Sequence, residues 1–321
     1  MPDPRHLLGL QDLPAATLRD TLARVHACDQ HPPAPDTLRG HVVANLFFED
    51  STRTRTSFSV AAQRLGASVV DLLGGQSSVN KGETLIDTAR NVEAMGVSAL
   101  VVRAKQSGAA ALIARHVHTP VINAGDGRHE HPTQGLLDVY TLAKHFNRTD
   151  GFDLKGLTVA IVGDIASSRV ARSNIAALRT LNAKVVCVGP PGLAPAGLAT
   201  LGAKVVSHID EAIKNADAVM MLRIQFERHG EAKAGVGAGG SDLPKQTSIA
   251  SVREYREFYG LSPERAASLK PEAIIMHPGP INRGIELDAA VADGPRSVIM
   301  PQVSHGVTVR MAVLKHAILG D

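Results

Sequence analysis

Apolar runs alternate with helical repeats of apolar residues along most of this chain. The run at 41–48 predicts a buried strand, and Phe58, Ala61, Ala62 and Leu65 follow at the spacing of one helix face. The same pattern predicts strands at 41–48, 68–73, 98–103 and 120–122, and helices at 14–28, 53–65, 84–94, 108–116 and 133–146. Strands separated by helices at this spacing predict βαβ units and a parallel sheet.

A second alternating series begins after the polar segment 147–151. Its strands are predicted at 157–164, 184–189, 203–207, 217–222 and 273–276, with a closing helix near 305–319. Two series of similar length predict an α/β fold of two domains, each a parallel sheet flanked by helices, with a cleft between them. Ligands of such sheets bind beyond the carboxyl ends of the strands. The expected ranges are 1–150 for the first domain, 151–304 for the second, and 305–321 for a C-terminal helix packing back on the first.

Composition narrows the class of partner. The 321 residues carry a net charge of only +3 and 3% aromatic residues, and no run of Lys or Arg, which argues against nucleic acid. No apolar stretch approaches the roughly 18 residues that span a membrane, and the N-terminus does not resemble a signal peptide. The two distant cysteines, Cys28 and Cys187, predict free thiols in a reducing compartment. These observations favour the cytoplasm.

The most informative segment lies where the first predicted strand meets its helix. Arg53 and Arg55 alternate there with the hydroxyl side chains of Ser51, Thr52 and Thr54. The backbone N–H groups and dipole of a helix N-terminus attract anions, and arginines add charge-assisted hydrogen bonds. The segment therefore predicts a site for a phosphate or similar oxyanion. The alternative is a simple helix cap with two solvated arginines.

Other polar clusters also stand where predicted strands end. They are Arg103, His131 with Gln134, Asp164 to Arg169, Arg223 with Gln225, and His277 to Pro280. Each alone also fits a helix cap or a surface ion pair. Several cations at strand ends in both halves together predict a substrate, or a pair of substrates, with several negative charges.

Several common catalytic motifs are absent from the sequence. Gly163 is not part of a GxGxxG motif, and there is no GxxxxGK[ST], HExxH or Gly-x-Ser-x-Gly. We therefore expect chemistry without a metal, a redox cofactor or a covalent intermediate.

Together these residues resemble the transcarbamoylase family, in particular the catalytic chains of its aspartate carbamoyltransferases. Residues 51–55 resemble the family's carbamoyl phosphate signature, and Arg103 and 131–134 match two further motifs in order and approximate spacing. Residues 77–84 resemble the loop that donates a serine and a lysine to a neighbouring subunit. The resemblance extends from about residue 41 to the C-terminus.

The resemblance implies a reaction and a set of residues. Carbamoyl phosphate and L-aspartate would give N-carbamoyl-L-aspartate and phosphate, the committed step toward pyrimidines, in a homotrimer with shared active sites and no cofactor. The implied catalytic residues are Arg53, Thr54, Arg103, His131 and Lys81. The implied carbamoyl phosphate ligands are Ser51, Thr52, Arg53, Thr54, Arg103, His131, Gln134, Pro278 and Gly279. The implied aspartate ligands are Lys81, Arg169, Arg223, Gln225, Gly279 and Pro280, and the implied domain-closure ion pairs involve Glu49, Arg169 and Arg228.

Two alternatives remain open on the sequence. Ornithine carbamoyltransferases typically carry His-Cys-Leu-Pro where this chain has His277-Pro278-Gly279-Pro280, so the missing cysteine favours aspartate. A non-catalytic scaffold of the same fold is the other alternative, and the intact charged motifs argue against it. Residues 231–247 are richer in glycine than the matching loop of many relatives. The last motif is similar to bacterial forms that pair with dihydroorotase, and docking on a dihydroorotase, on a regulatory chain or on neither stays open.

Overall fold

A computed structural model describes residues 5–73, 83–224 and 251–321. Its contacts group the chain into two compact units. The first comprises Met1–Lys155, Ser168–Asn182 and Met300–Asp321, and the second comprises Gly156–Ser167 and Ala183–Ile299.

The first unit contains a four-stranded parallel sheet in the order β2-β1-β3-β4. Its strands are β1 (Val42–Phe47), β2 (Ser68–Leu73), β3 (Ala99–Ala104) and β4 (Val121–Asp126). Its helices are α1 (Ala15–Gln30), α2 (Thr52–Arg64), α3 (Leu85–Ala94), α4 (Ala109–Ala114), α5 (Pro132–His145), α6 (Arg169–Thr180) and most of α11 (Ile299–Leu319). Both faces of β1 and β3 are covered, which explains why these strands are apolar over most of their length.

Alternate strand residues share a face of this sheet. On one face, Ala44 and Leu46 of β1 and Leu100 and Val102 of β3 form a buried cluster with apolar residues of α3 and α4. Phe58, Ala61 and Ala62 of α2 are also buried, which confirms the apolar face predicted for that helix. Because β1, β3 and β4 run parallel, their carboxyl ends meet at one edge of the sheet.

The second unit contains a five-stranded parallel sheet in the order β7-β6-β5-β8-β9. Its strands are β5 (Thr158–Val162), β6 (Lys184–Val188), β7 (Lys204–Val206), β8 (Ala218–Met221) and β9 (Ile274–Met276). Its helices are α7 (Ile209–Ile213), α8 (Val252–Tyr259), α9 (Pro263–Ala267), α10 (Ala289–Ala292) and a 3₁₀ turn, Ala196–Leu201. Two parallel sheets flanked by helices confirm the predicted fold class.

Two elements differ from the sequence prediction. Helix α11 begins at Ile299 rather than near residue 305. Pro301 is compatible with this earlier start because it lies in the first turn, where a backbone N–H would have no hydrogen-bond acceptor within the helix. Helix α6 follows β5 in the chain, yet it packs against α5 and belongs to the first unit. The predicted range 151–304 includes α6, whereas the second compact unit does not.

Candidate active site

The start of α2 has the geometry of an open helix N-terminus. Ser51 occupies the N-cap position, but its hydroxyl makes no capping bond, and its carbonyl accepts from Arg55 N at 3.2 Å. By contrast, Thr84, at the start of α3, caps its helix with its side chain. Thr52 and Arg53 are exposed in the first turn, which contains no acidic residue. This end of α2 is therefore available to an anion.

A cluster of three charged side chains joins the ends of β1 and β3 to the start of α6. Glu49 lies two residues beyond β1 and binds Arg169 through both carboxylate oxygens, each at 2.9 Å from a terminal guanidinium nitrogen. Arg103, near the end of β3, donates to Glu49 Oε1 at 3.4 Å. All three belong to the first unit. The role of Glu49 and Arg169 in domain closure stays a prediction.

The end of β4 receives both guanidinium groups. Arg103 Nη1 donates to the Ala124 carbonyl at 3.0 Å, and Arg169 Nη1 donates to the Gly127 carbonyl at 3.2 Å. A Cβ on Gly125 would lie 3.0 Å from each arginine, and the φ of this residue is +115°. Glycine is therefore required here, both by the backbone conformation and by the close approach of two cations.

His131 stands at the N-cap of α5 and is held by a buried chain of hydrogen bonds. Its backbone N–H donates to Ser173 Oγ at 2.9 Å, and that hydroxyl donates to Glu130 Oε2 at 2.7 Å. The side chain is buried, and its Nδ1 has no partner among the described residues. Burial lowers the pKa of His131 well below its ordinary value, and the charges of Arg103, Arg310, Arg169 and Arg53 lower that pKa further. The imidazole is therefore neutral at neutral pH.

Gln134 lies in the first turn of α5, one helical turn before Asp138. Its side chain is buried, and its Nε2 donates to Asp138 Oδ1 at 3.0 Å. The sequence prediction named Gln134 but not Asp138, because a lone aspartate inside an apolar helix has no local signature.

In the second unit, Arg223 follows β8 and is positioned by Asn282. Arg223 Nε donates to Asn282 Oδ1 at 3.4 Å, and Asn282 Nδ2 donates to the Ile224 carbonyl at 3.0 Å. Sequence reasoning did not identify Asn282 as a partner of Arg223, because the two residues are 59 positions apart.

The segment after β9 is fixed by a buried histidine. His277 Nδ1 accepts from Gly279 N at 2.7 Å, so Nε2 carries the hydrogen and donates to Glu286 Oε1 at 3.2 Å. Glu286 Oε1 also accepts from Asn282 N at 2.6 Å. The backbone of Pro278, Gly279 and Pro280 is thereby held in one shape, with Gly279 at φ +67° and a cis bond to Pro280.

Three predicted site residues, Lys81, Gln225 and Arg228, lie outside the described residues, as does segment 231–247. Within the described parts of the chain, no group of three or more His, Cys, Asp or Glu side chains has the arrangement of a metal site. None of the described helices is long and apolar enough to cross a membrane.

Two family models match nearly the whole chain. The carbamoyl phosphate-binding domain of aspartate/ornithine carbamoyltransferases matches residues 5–144, and the Asp/Orn-binding domain of the same family matches residues 155–317. This chain belongs to the aspartate/ornithine carbamoyltransferase family.

Within this carbamoyltransferase family, curated relatives and solved structures are similar over almost their full length. The aspartate carbamoyltransferase catalytic subunit of Myxococcus xanthus is 52% identical over 97% of this chain and 98% of its own length. That of Gluconacetobacter diazotrophicus is 50% identical over 97% of this chain and 92% of its own length.

Among solved structures, aspartate transcarbamoylase from Trypanosoma cruzi in complex with carbamoyl phosphate is 28% identical, with a TM-score of 0.82 over 98% of this chain and 95% of its own. Ornithine carbamoyltransferase from Thermus thermophilus is 26% identical, with a TM-score of 0.82 over 98% of this chain and 99% of its own. The fold is thus common to enzymes of both substrate classes.

Proposed function

We propose that this chain transfers the carbamoyl group of carbamoyl phosphate to the amine of L-aspartate, giving N-carbamoyl-L-aspartate and phosphate. The observation that carries the proposal is 50–52% identity, over nearly the full length, to catalytic subunits of aspartate carbamoyltransferases. The geometry of the first unit supports the same chemistry, because it combines an open helix N-terminus with several arginines and a neutral histidine.

The phosphate group is assigned to the start of α2. The helix N-terminus is formed by Ser51, Thr52, Arg53 and Thr54. The hydroxyl of the N-cap residue, Ser51, makes no capping hydrogen bond. Backbone N–H groups, the helix dipole and the Arg53 guanidinium all favour a doubly charged phosphate there.

The carbamoyl oxygen is assigned to Thr54, Arg103 and His131. This oxygen gains negative charge as the aspartate amine attacks, so donors held in place beforehand stabilise the tetrahedral intermediate. A neutral His131 contributes an N–H donor without competing for the proton of the amine. Arg103 is held by the Ala124 carbonyl and by Glu49, which fixes its direction before substrate arrives.

Proton transfer requires no separate protein base in this proposal. The C–N bond forms first and gives the tetrahedral intermediate. Its collapse breaks the bond from carbon to the phosphate oxygen, and the departing phosphate takes a proton from the amine. Binding the two reactants side by side supplies much of the remaining acceleration.

The two carboxylates of aspartate are assigned to Arg169, Arg223, Gln225 and Lys81, with backbone groups of Gly279 and Pro280. Arg169 uses three of its five N–H hydrogens on Glu49 and Gly127, so two remain for a substrate carboxylate. Pro278 and Gly279 are assigned to carbamoyl phosphate through their backbone groups. The residues of the last motif are held for this role by the His277–Glu286 pair.

The direct test is a colorimetric assay for ureido product with each amino acid in turn. We expect N-carbamoyl-L-aspartate from L-aspartate and no citrulline above background from L-ornithine. Greater activity with ornithine would overturn the substrate assignment. Absence of product with both amino acids, together with intact binding of carbamoyl phosphate, would support a non-catalytic scaffold instead.

The assembly and cellular context are also part of the proposal. We infer a homotrimer with shared active sites, acting in the cytoplasm in pyrimidine biosynthesis. Mass measurement of the purified protein in solution, with and without co-expressed dihydroorotase or a regulatory chain, tests the trimer and any larger assembly.

A further inference from the structure

Arg310 is a buried cation on α11 that reaches across to α2. Its Nη1 donates to Ser57 Oγ of α2 at 3.1 Å and to the carbonyl of Gly306, one turn earlier on α11, at 2.8 Å. Its guanidinium carbon lies 5.1 Å from the centroid of the Phe58 ring. Its Nε is buried and has no hydrogen-bond partner among the described residues. Within the described parts of the chain, the guanidinium is therefore held by neutral groups.

No carboxylate of the described residues forms an ion pair with Arg310. The buried acid whose charge acts on it is Asp138, but amide groups occupy the oxygens of that carboxylate. Oδ1 accepts from Gln134 Nε2 at 3.0 Å and from Gln302 Nε2 at 2.8 Å, and Oδ2 accepts from Asn174 Nδ2 at 2.7 Å. Burial raises the pKa of Asp138 to about 6 and lowers the pKa of Arg310 to about 10, so both groups are charged at neutral pH.

Keeping this charge buried costs stability. A cation taken out of water without a direct ion pair loses more solvation than hydrogen bonds to neutral groups return. The chain also makes room for it, because a Cβ on Gly306 would lie only 2.7 Å from Arg310 Nη1. Glycine in a helix interior is itself unfavourable. Two costs at one place indicate that the charge has a role beyond packing.

The contact with Ser57 places this charge beside the proposed phosphate site. Ser57 follows Arg53 by four residues and Thr54 by three, so these side chains lie on one side of α2. The helical rise puts Ser57 roughly 7.5 Å along the axis from the first residue of α2. The charge of Arg310 also acts on His131, which belongs to the same proposed site. The guanidinium is therefore about 10 Å from a phosphate bound at the start of α2.

We propose that Arg310 supplies a buried positive charge that strengthens binding of the phosphate group of carbamoyl phosphate without touching it. This inference rests on the proposed function, because it adds a residue to that same site. A phosphate dianion is attracted by the cation, and this attraction is screened less across the protein interior than through water. The alternative is a structural role, in which Arg310 only ties α2 to α11 through its hydrogen bond to Ser57.

The test measures the affinity of the intact enzyme for inorganic phosphate by calorimetry. Arg310→Met removes the charge and keeps an apolar side chain of similar length. We expect its Kd for phosphate to rise about tenfold, the effect of one unit charge on a dianion at about 10 Å and an effective dielectric constant of roughly 50. The KM of carbamoyl phosphate should rise by a similar factor. An unchanged Kd for phosphate would overturn the proposal.

Ser57→Ala is the matched control, because it removes the hydrogen bond to α2 and leaves the charge of Arg310 in place. It should bind phosphate nearly as well as the parent. Arg310→Lys should also retain most of the affinity, since a lysine whose pKa burial lowers as much as that of Arg310 stays charged at neutral pH. If Ser57→Ala or Arg310→Lys weakens phosphate as much as Arg310→Met, the inference is wrong.

Thermal unfolding separates an effect on binding from an effect on folding. Without phosphate, Arg310→Met should unfold no earlier than the parent, because replacing a buried charge by an apolar side chain is often neutral or stabilising. With phosphate added, its midpoint should rise less than that of the parent. An equal rise would refute the inference. If Arg310→Met does not fold, Arg310→Gln, which keeps an NH₂ donor for Ser57, takes its place. A parent that neither binds phosphate nor forms N-carbamoyl-L-aspartate would instead overturn the proposed function itself.

Discussion

Arg53 and Arg55 stand two positions apart in the first turn of α2, yet their surroundings differ. Arg55 Nε lies 3.6 Å from Asp71 Oδ2, a residue of the neighbouring strand β2, whereas the Arg53 side chain is exposed at the helix end. The residue pattern at 51–55 alone does not distinguish which of these two arginines binds the phosphate. Their local geometry separates them, because a helix turns by about 100° per residue and the two side chains therefore leave α2 in different directions.

Arg53→Ala should lower kcat/KM by roughly a thousandfold or more, because a cation at the phosphate stabilises the charge that develops on it in the transition state. Steady-state kinetics of the purified variant measure this effect. Arg55→Ala is the matched control and should retain most of the activity. Near-normal turnover by Arg53→Ala, or an equal loss in both variants, would contradict the assignment.

His131 differs from most surface histidines because it is buried among arginines. The lowered pKa of His131 affects the stability of the native state. Below pH 6.5, the ordinary pKa of histidine, the unfolded chain binds a proton at this residue, whereas the native state does not. This residue therefore lowers the stability of the native state as pH falls below about 6.5, and it contributes no such loss above that pH.

His131→Ala should lower kcat by about a hundredfold or more through loss of one oxyanion donor. The residual activity should show the same pH dependence as the parent, because a histidine that is already neutral does not titrate over that range. Profiles of kcat/KM from pH 6 to 9 for parent and variant test this. A profile of different shape in the variant would mean that His131 titrates in the parent.

At the scale of elements, Glu49 connects the end of β1 to α6 and β3. Its side chain is only 16% exposed, and those of its partners Arg169 and Arg103 are 8% and 11% exposed. Removing the charge of Glu49 from this cluster would cost stability, because the two arginines would remain largely buried without an opposite charge.

Glu49→Gln should therefore destabilise the first unit by about 2–4 kcal/mol. It should also lower turnover, because Arg103 and Arg169 lose the group that fixes their direction. The midpoint of thermal unfolding and kcat would be measured together. Asp293→Asn, which breaks the exposed Arg283–Asp293 pair, is the control and should leave both quantities unchanged. Similar shifts in the two variants would show that the Glu49 cluster is an ordinary surface ion pair.

At the scale of the whole molecule, the proposed homotrimer makes a prediction about Lys81, which lies outside the described residues. If Lys81 serves the active site of the adjacent subunit, Arg53→Ala and Lys81→Ala chains should complement each other. Mixed trimers would then contain some sites with Arg53 from one chain and Lys81 from its neighbour, both intact.

The experiment dissociates the two inactive variants, mixes them, reassembles them and compares activity with each variant treated alone. We expect recovery of part of the parent activity in the mixture. If hybrid trimers form and remain inactive, Lys81 acts within its own chain or has no catalytic role.

The sequence by itself determined the local features of this protein. Buried parallel strands are apolar on both faces, whereas the helices that flank them are apolar on one face. Continuous apolar runs therefore alternate with helical repeats of apolar residues, and this alternation identified most elements. It gave no bounds for the short helices α8 and α9, which lie between the last two predicted strands, and it did not mark α10. Charged and hydroxyl residues at strand ends were visible for the same reason, since they interrupt apolar runs. These local patterns sufficed for the fold class, and they predict the anion site at 51–55.

Only the tertiary structure decided which distant residues meet. Contacts between residues far apart in the chain set the strand order and the grouping of α6 with the first unit. They also form the Glu49–Arg103–Arg169 cluster and bring amide side chains around Asp138. A single buried Asp or Asn has no periodic signature, because its partner is chosen by packing rather than by spacing. Such partners fix the direction of the predicted side chains.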